Sequence, residues 1–313
     1  MESCRILFLF SFIYIAILRS YAFNTENLKN SYWQSALPNT RLPKSLQKIL
    51  QPASNIYVTH NTKDGRVSEA EINVKTTLEG SGLPTIGEDN YAEAQVEPGV
   101  TAFFLENDLH AGKKMKLYFP KTTNRGKLLP RKVAESIPFS TTKLSEILNH
   151  FRVQPGSVEA EILRQTIEEC EQAGIKGEDK YCATSLESLV DFCVSKLGNK
   201  NIKVYSTEVD KETKQEYKIV DKGVKKIGDR SVVCHNRNYA FAVFYCHEIQ
   251  ATKAYMVSMV ATDGTKAEAV AVCHTDTRSW NHKHFAFKRL KIKPGTVPIC
   301  HFLPTDSLVW VPN

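Results

Sequence analysis

An α+β fold with a mainly antiparallel sheet follows from three features of the 313-residue sequence. Helical signals come first, strand signals follow, and the two do not alternate, which argues against βαβ units. The hydrophobic period changes from that of a helix to two near Ile202. Asp263-Gly264 then stands between two alternating runs, a hairpin signal. The expectation is a helical section followed by an antiparallel β core.

Four segments are expected in chain order. Residues 1–22 read as a secretory signal: Arg5, an apolar run from Ile6 to Leu18, and Ser20-Tyr21-Ala22 at the cut. The run is too short for a membrane anchor, and no transmembrane segment is expected later. The implied destination is the secretory pathway, ending in a vacuole or outside the cell, including the cell wall. Residues 23–50 form a head whose Tyr32, Trp33, Leu37 and Leu42 predict docking on the main domain, with a helical turn at Ser45–Leu50. Residues 51–101 are rich in Gly, Asp, Glu, Asn and Thr and read as a flexible linker. Residues 102–313 carry the dense apolar content of the folded domain.

Within that domain Lys116–Phe119 reads as a strand. Leu144, Ile147, Leu148 and Phe151 share one helix face. Ser157 caps a second helix ending near Gly174. Thr184-x-x-Glu187 starts a third, which ends at Gly198. Strands are expected at Lys203–Glu208, Glu216–Val220, Ser231–His235, Tyr239–Glu248, Ala254–Ala261, Ala267–Thr275, Ala286–Ile292 and Val297–Phe302.

Net charge is +7, and no block of like charge suits nucleic acid. The scattered lysines, among them Lys203, Lys211 and Lys225, read as a solvated face. The sharper reading is attraction to acidic cell-wall polysaccharide or anionic lipid. Eight cysteines are present, and Cys4 leaves with the signal. Of the remaining seven, Cys193 shares a helical stripe with Leu186, Leu189, Val190 and Leu197 and is expected as a buried free thiol. Cys170 and Cys182 flank a short loop and are expected to pair.

The chemistry is concentrated in four dipeptides: Cys234-His235, Cys246-His247, Cys273-His274 and Cys300-His301, separated by 10, 25 and 25 residues. Adjacent strand residues point to opposite faces, so strands at all four would put sulfurs on one side and imidazoles on the other. Converging imidazoles suit a metal; converging sulfurs suit two disulfides or a zinc site.

This spacing resembles the BURP domain of plants, as does the opening Phe103-Phe104 with Leu109-His110-x-Gly112. The head motif Tyr32-Trp33-Gln34-Ser35…Leu42-Pro43 is similar to the unknown-seed-protein branch. The resemblance implies a copper-dependent cyclase that crosslinks a Tyr or Trp of a core peptide to an unactivated carbon, acting on its own N-terminal peptide or on another peptide. It implies copper ligation by His235, His247, His274 and His301, no catalytic residue beyond them, and disulfides among Cys234, Cys246, Cys273 and Cys300 with pairing open. Imidazole suits copper, and an oxidising compartment favours disulfides. A mixed Cys-His zinc site is the rival. The alternative function is a non-catalytic seed, vacuolar or cell-wall protein of storage, development or stress response. The candidate core is Gln51–Tyr57, with Gln51-Pro52 at its start and Tyr57 as the aromatic end. His282 and His284 are read as sharing a strand face, exposed or adding to the metal site. His110, in the opening motif, is placed near the cluster.

Overall fold

The structure, a computed structural model, describes residues 32–50, 77–78, 99–119 and 126–313. The expected signal segment and the candidate core residues Gln51, Pro52 and Tyr57 lie outside the described residues, as does most of the expected linker.

Strands divide into two sheets. The larger contains β1 (Phe104–Leu105), β2 (Lys114–Leu117), β5 (Glu208–Val209), β6 (Gln215–Gly228), β9 (Thr252–Ala261), β10 (Lys266–His274) and β11 (Ile299–Phe302). Its order is β1-β11-β10-β9-β6-β2, with β5 added on β10. The smaller contains β3 (Glu178–Ala183), β4 (Ile202–Tyr205), β7 (Val232–Arg237), β8 (Val243–Ile249) and β12 (Leu308–Pro312), in the order β3-β8-β7-β12-β4. Every ladder is antiparallel. The α+β expectation holds, with helices before most of the strands and two sheets in place of one.

The chain moves between sheets by short crossings. Gln250-Ala251 joins β8 to β9, and residues 303–307 join β11 to β12. Ala251 adopts the left-handed region at φ 58°, and its carbonyl accepts from both the amide and the hydroxyl of Thr275. Between the sheets lies an apolar layer: Val233, Val309 and Val311 from the five-stranded sheet, Ala254, Val270 and Val272 from the seven-stranded one, and Leu303 of the crossing.

The opposite face of the five-stranded sheet carries Val232, Cys234, Phe244, Cys246, Leu308 and Trp310. It is covered by the helix Leu186–Leu197 and by the head. Trp33 is fully buried there, 5.6 Å from the Trp310 ring, and its indole donates to Thr40 O. The Thr40 hydroxyl donates to Ile202 O, fastening the head to the sheet edge. The helices Leu144–His150 and Val158–Glu171 pack on Tyr239, Phe241 and Val243, which extend the inner face.

Local sequence rules account for most boundaries. Ser157 Oγ accepts from Ala160 N at the start of its helix, and Gly198 ends the third helix in the left-handed region at φ 77°. The third helix is capped by Ser185, whose hydroxyl exchanges bonds with Ser188, and not by Thr184. The segment read as a strand at Ala286–Ile292 is the helix Phe285–Leu290. Ala286, Phe287 and Leu290 fall on one helical face, and His284 Nδ1 accepts from Ala286 N as its cap. His282 and His284 therefore share no strand. His282 is exposed and His284 is buried. Glu178–Ala183, read as part of a loop, is β3, and the C-terminal Leu308–Pro312 adds β12. The Tyr239–Glu248 strand begins at Val243, and Lys116–Phe119 shifts to Lys114–Leu117.

Candidate metal centre

Register, more than proximity in sequence, builds the site. On the five-stranded sheet Cys234 lies opposite Cys246, Val233 opposite His247, and His235 opposite Tyr245. Directly opposed residues of an antiparallel pair share a face. His235, Tyr245 and His247 therefore share the face of Val233, which belongs to the layer between the sheets. On the seven-stranded sheet Cys273 lies opposite Cys300, Val272 opposite His301, and His274 opposite Ile299. His274 and His301 share the face of Val272, again in the inter-sheet layer. Sulfurs point away and imidazoles inward at all four dipeptides.

The sulfurs bond across the ladders as Cys234–Cys246 and Cys273–Cys300, and Cys170–Cys182 ties the helix Val158–Glu171 to β3. Cys193 is the free thiol, fully buried, its sulfur 3.7 Å from that of Cys234. Burial pushes its pKa well up, so it stays a thiol.

The four rings are 6, 3, 2 and 8 % exposed in chain order. They meet as two pairs. His235 Nε2 lies 3.2 Å from His247 Nε2, and His274 Nε2 lies 3.4 Å from His301 Nε2. Two nitrogens bound to one tetrahedral metal at about 2.0–2.1 Å would lie about 3.3–3.4 Å apart, so each pair has the bite of a two-imidazole ligand set. Among the described residues, the three candidate ligand atoms that all lie within 4.8 Å of one another are sulfurs, those of Cys193, Cys234 and Cys246. The imidazoles thus stand as two pairs and not as one closed tetrad. The crossings place both pairs at the same joints. Thr252, directly after Gln250-Ala251, lies opposite His274, while His247 stands three residues before that crossing. Ser307, at the end of the other crossing, reaches His235.

Ring orientation is set at Nδ1. His247 Nδ1 donates to Glu178 Oε1 at 2.8 Å, His235 Nδ1 contacts Ser307 Oγ at 3.3 Å, and His274 Nδ1 contacts Thr252 Oγ1 at 3.5 Å. Burial works against an ionised Glu178, but hydrogen bonds from His247, Ile175 N and Tyr245 hold its carboxyl below the ordinary range. An ionised carboxylate only accepts, so Nδ1 of His247 carries a proton, and in the neutral imidazole the lone pair is then on Nε2. The Tyr245 phenol is raised by burial and by the Glu178 charge.

Around the second pair the neighbours are aromatic. Trp280 meets His274 edge-on at 5.0 Å, Phe103 lies 6.1 Å from His301, and His284 lies 4.7 Å from Trp280. The four expected ligands, His235, His247, His274 and His301, all reach the inter-sheet layer. His110 is exposed in a turn, with Nδ1 against Ala111 O. Glu178, Ser307, Thr252 and Trp280 escaped the sequence reading. The period-two run Glu178, Lys180, Cys182 was a signal for β3, masked because two of its inward residues are charged.

The chain is thus a two-sheet α+β protein built on four Cys-His dipeptides that are disulfide-braced in pairs. A family model for the BURP domain matches residues 102–312. BURP domain-containing protein 3 of rice (Oryza sativa subsp. japonica) is 51% identical over 230 residues, 71% of this chain and 54% of its own length. BURP domain protein RD22 of Arabidopsis thaliana is 51% identical over 231 residues, 71% of this chain and 59% of its own. BURP domain-containing protein 5 of rice is 48% identical over 292 residues, 89% and 85% of the two chains. The chain thus spans little more than half the length of the first two relatives. It belongs to the BURP-domain family of plant proteins. No described helix is long and apolar enough to cross a membrane.

Proposed function

We propose that this chain is a secreted copper protein that oxidatively crosslinks a peptide, its own segment Gln51–Tyr57 in the first instance. The observation that carries the reading is the pairing of buried Nε2 atoms, with Nδ1 of three rings engaged by fixed oxygen atoms. Bound copper supplies one-electron redox chemistry toward dioxygen. The chain's part is to present neutral imidazole lone pairs, to keep the sulfurs bonded on the far faces, and to exclude bulk water around the rings. The reaction joins the Tyr57 phenol oxygen to a carbon of the same segment. One hydrogen leaves each partner, and dioxygen accepts the two electrons and two protons. Helix Lys44–Leu50 ends on the outer face of the five-stranded sheet. Seven extended residues span at most about 25 Å, which bounds where Tyr57 can act within its own chain.

The test is mass spectrometry of the copper-loaded full chain after exposure to dioxygen and proteolysis. Loss of two hydrogens from the Tyr57 fragment is the expected result. An unchanged fragment from protein shown to hold copper rejects the reaction. A second reading, a non-catalytic seed, vacuolar or wall protein, is favoured by one observation: 3.2 Å is also a hydrogen-bond distance between two imidazoles. On that reading the purified protein carries no copper, and His247→Ala only lowers its melting temperature.

A further inference from the structure

We infer that Glu178 is a positioning residue that aims the Nε2 lone pair of His247 at the metal held between the sheets. The inference rests on the copper-binding reading above and names a group outside the Cys-His dipeptides. Lys180 lies opposite His247 in the β3–β8 ladder, so Glu178, two residues along β3, shares that face and sits diagonally from the ring. Its side chain is 3% exposed.

The carboxylate is occupied as a holder and not as a ligand. Oε1 accepts from His247 Nδ1 at 2.8 Å and from the Tyr245 hydroxyl at 3.1 Å, and Oε2 accepts from Ile175 N at 2.9 Å. The support behind it is rigid. β3 is stapled to the helix Val158–Glu171 by Cys170–Cys182. Two cations approach the Tyr245 ring, Lys180 Nζ at 5.0 Å and the Arg237 guanidinium at 5.2 Å from its centroid. Arg237 in turn is paired with buried Glu169 at 2.7 Å. Of the three Nδ1 contacts at the site, the Glu178 bond is the shortest and the one made to a charged group. A carboxylate at Nδ1 fixes the tautomer, limits ring rotation and raises the basicity of the ligating nitrogen. Loss of such a partner costs about 10–100-fold in metal affinity.

The experiment titrates Cu(II) into the full, disulfide-intact chain against a chromophoric chelator, with electron paramagnetic resonance of the bound copper. The samples are wild type, Glu178→Gln, Glu178→Ala, His247→Ala and the double variant Glu178→Ala/His247→Ala. Glu178→Gln keeps the shape and an acceptor oxygen but loses the charge; its affinity is expected to fall about 10-fold, and that of Glu178→Ala up to about 100-fold. In the His247→Ala background, Glu178→Ala should cost nothing further and leave the resonance spectrum unchanged. Wild-type affinity in both Glu178 single variants, or a further loss in the double variant, overturns the positioning role while leaving the copper reading intact. Wild type that binds no copper overturns both. Should Glu178→Ala fail to fold, Glu178→Gln decides the question alone, with its melting temperature and disulfide masses as the folding control.

Discussion

His235 and His247 are braced by a charged shell, whereas His274 and His301 are braced by an aromatic one. Around the first pair stand Glu178, Tyr245, Lys180 and Arg237, linked by hydrogen bonds and cation–π contacts. Around the second stand Trp280, Phe103 and His284, in ring contact, with the neutral Thr252 hydroxyl at His274 Nδ1, and the two imidazoles are themselves stacked at 12°. Both pairs arise from one device, a cross-strand disulfide with its neighbours turned inward. The same device therefore tolerates two ways of fixing an imidazole, one by directed bonds and one by volume. The first responds to a single polar deletion. The second responds to loss of packing.

The largest effect that sharpens this contrast comes from the head. Trp33, from outside the sheet, seals the outer face behind Cys234–Cys246, whereas the residues behind Cys273–Cys300 include Phe104 of the neighbouring strand and Phe119. Trp33→Ala should cost about 3–5 kcal/mol in urea unfolding. In native-state hydrogen exchange it should deprotect β7 and β12 more than β10 and β11. Equal deprotection of both sheets would mean that the pairs are not separately supported.

Deleting the disulfides comes next. Cys234→Ala/Cys246→Ala and Cys273→Ala/Cys300→Ala should each cost about 3 kcal/mol. Sequence separations of 12 and 27 make the second more costly by 1.5RT ln(27/12), about 0.7 kcal/mol. Removing both sulfurs of the first bond matters, because Cys193 stands close enough to capture a lone Cys234. The reverse ranking in urea midpoints would show that strand packing, not loop closure, sets the difference.

Trp280→Phe probes the aromatic shell more gently. The indole nitrogen is buried without a hydrogen-bond partner among the described residues, so losing it offsets part of the lost volume. A stability change within about 1.5 kcal/mol is expected, with copper affinity unchanged. A loss of affinity like that of Glu178→Ala would show that the ring packing around His274 matters to the metal as much as the Glu178 bond does.

The smallest effect is a pH dependence on the seven-stranded sheet. Burial opposes ionisation of Glu106, but bonds from Lys253 and Tyr255 outweigh it and depress its pKa. A depressed carboxyl contributes stability that is full above its unfolded pKa of about 4.3 and is lost as pH falls through the folded value. Glu106→Gln should flatten the acid limb of the melting profile below about pH 4.3. An unchanged limb would remove Glu106 from the account.

Much of this was legible in the chain because strand parity is a strict rule. Knowing that Cys246 and His247 are neighbours on a strand is enough to send them to opposite faces, and the structure obeys that at all four dipeptides. The Cys170–Cys182 bond and the buried free Cys193 were legible for similar local reasons. The two-sheet split was not, since nothing local marks Gln250-Ala251 as a crossing and not a hairpin turn. Phe285–Leu290 alternates well enough to pass for a strand until His284 caps it. Glu178 was hidden because an inward carboxylate on a strand makes sense only once His247 and Tyr245 are known to stand beside it.

X-ray absorption at the copper edge of the stoichiometrically loaded, disulfide-intact protein reports most directly on the two imidazole pairs. The expected result is a nitrogen shell at about 2.0 Å with imidazole outer-shell scattering and no sulfur. A sulfur shell, or copper that dialyses away from the wild-type chain, would contradict it.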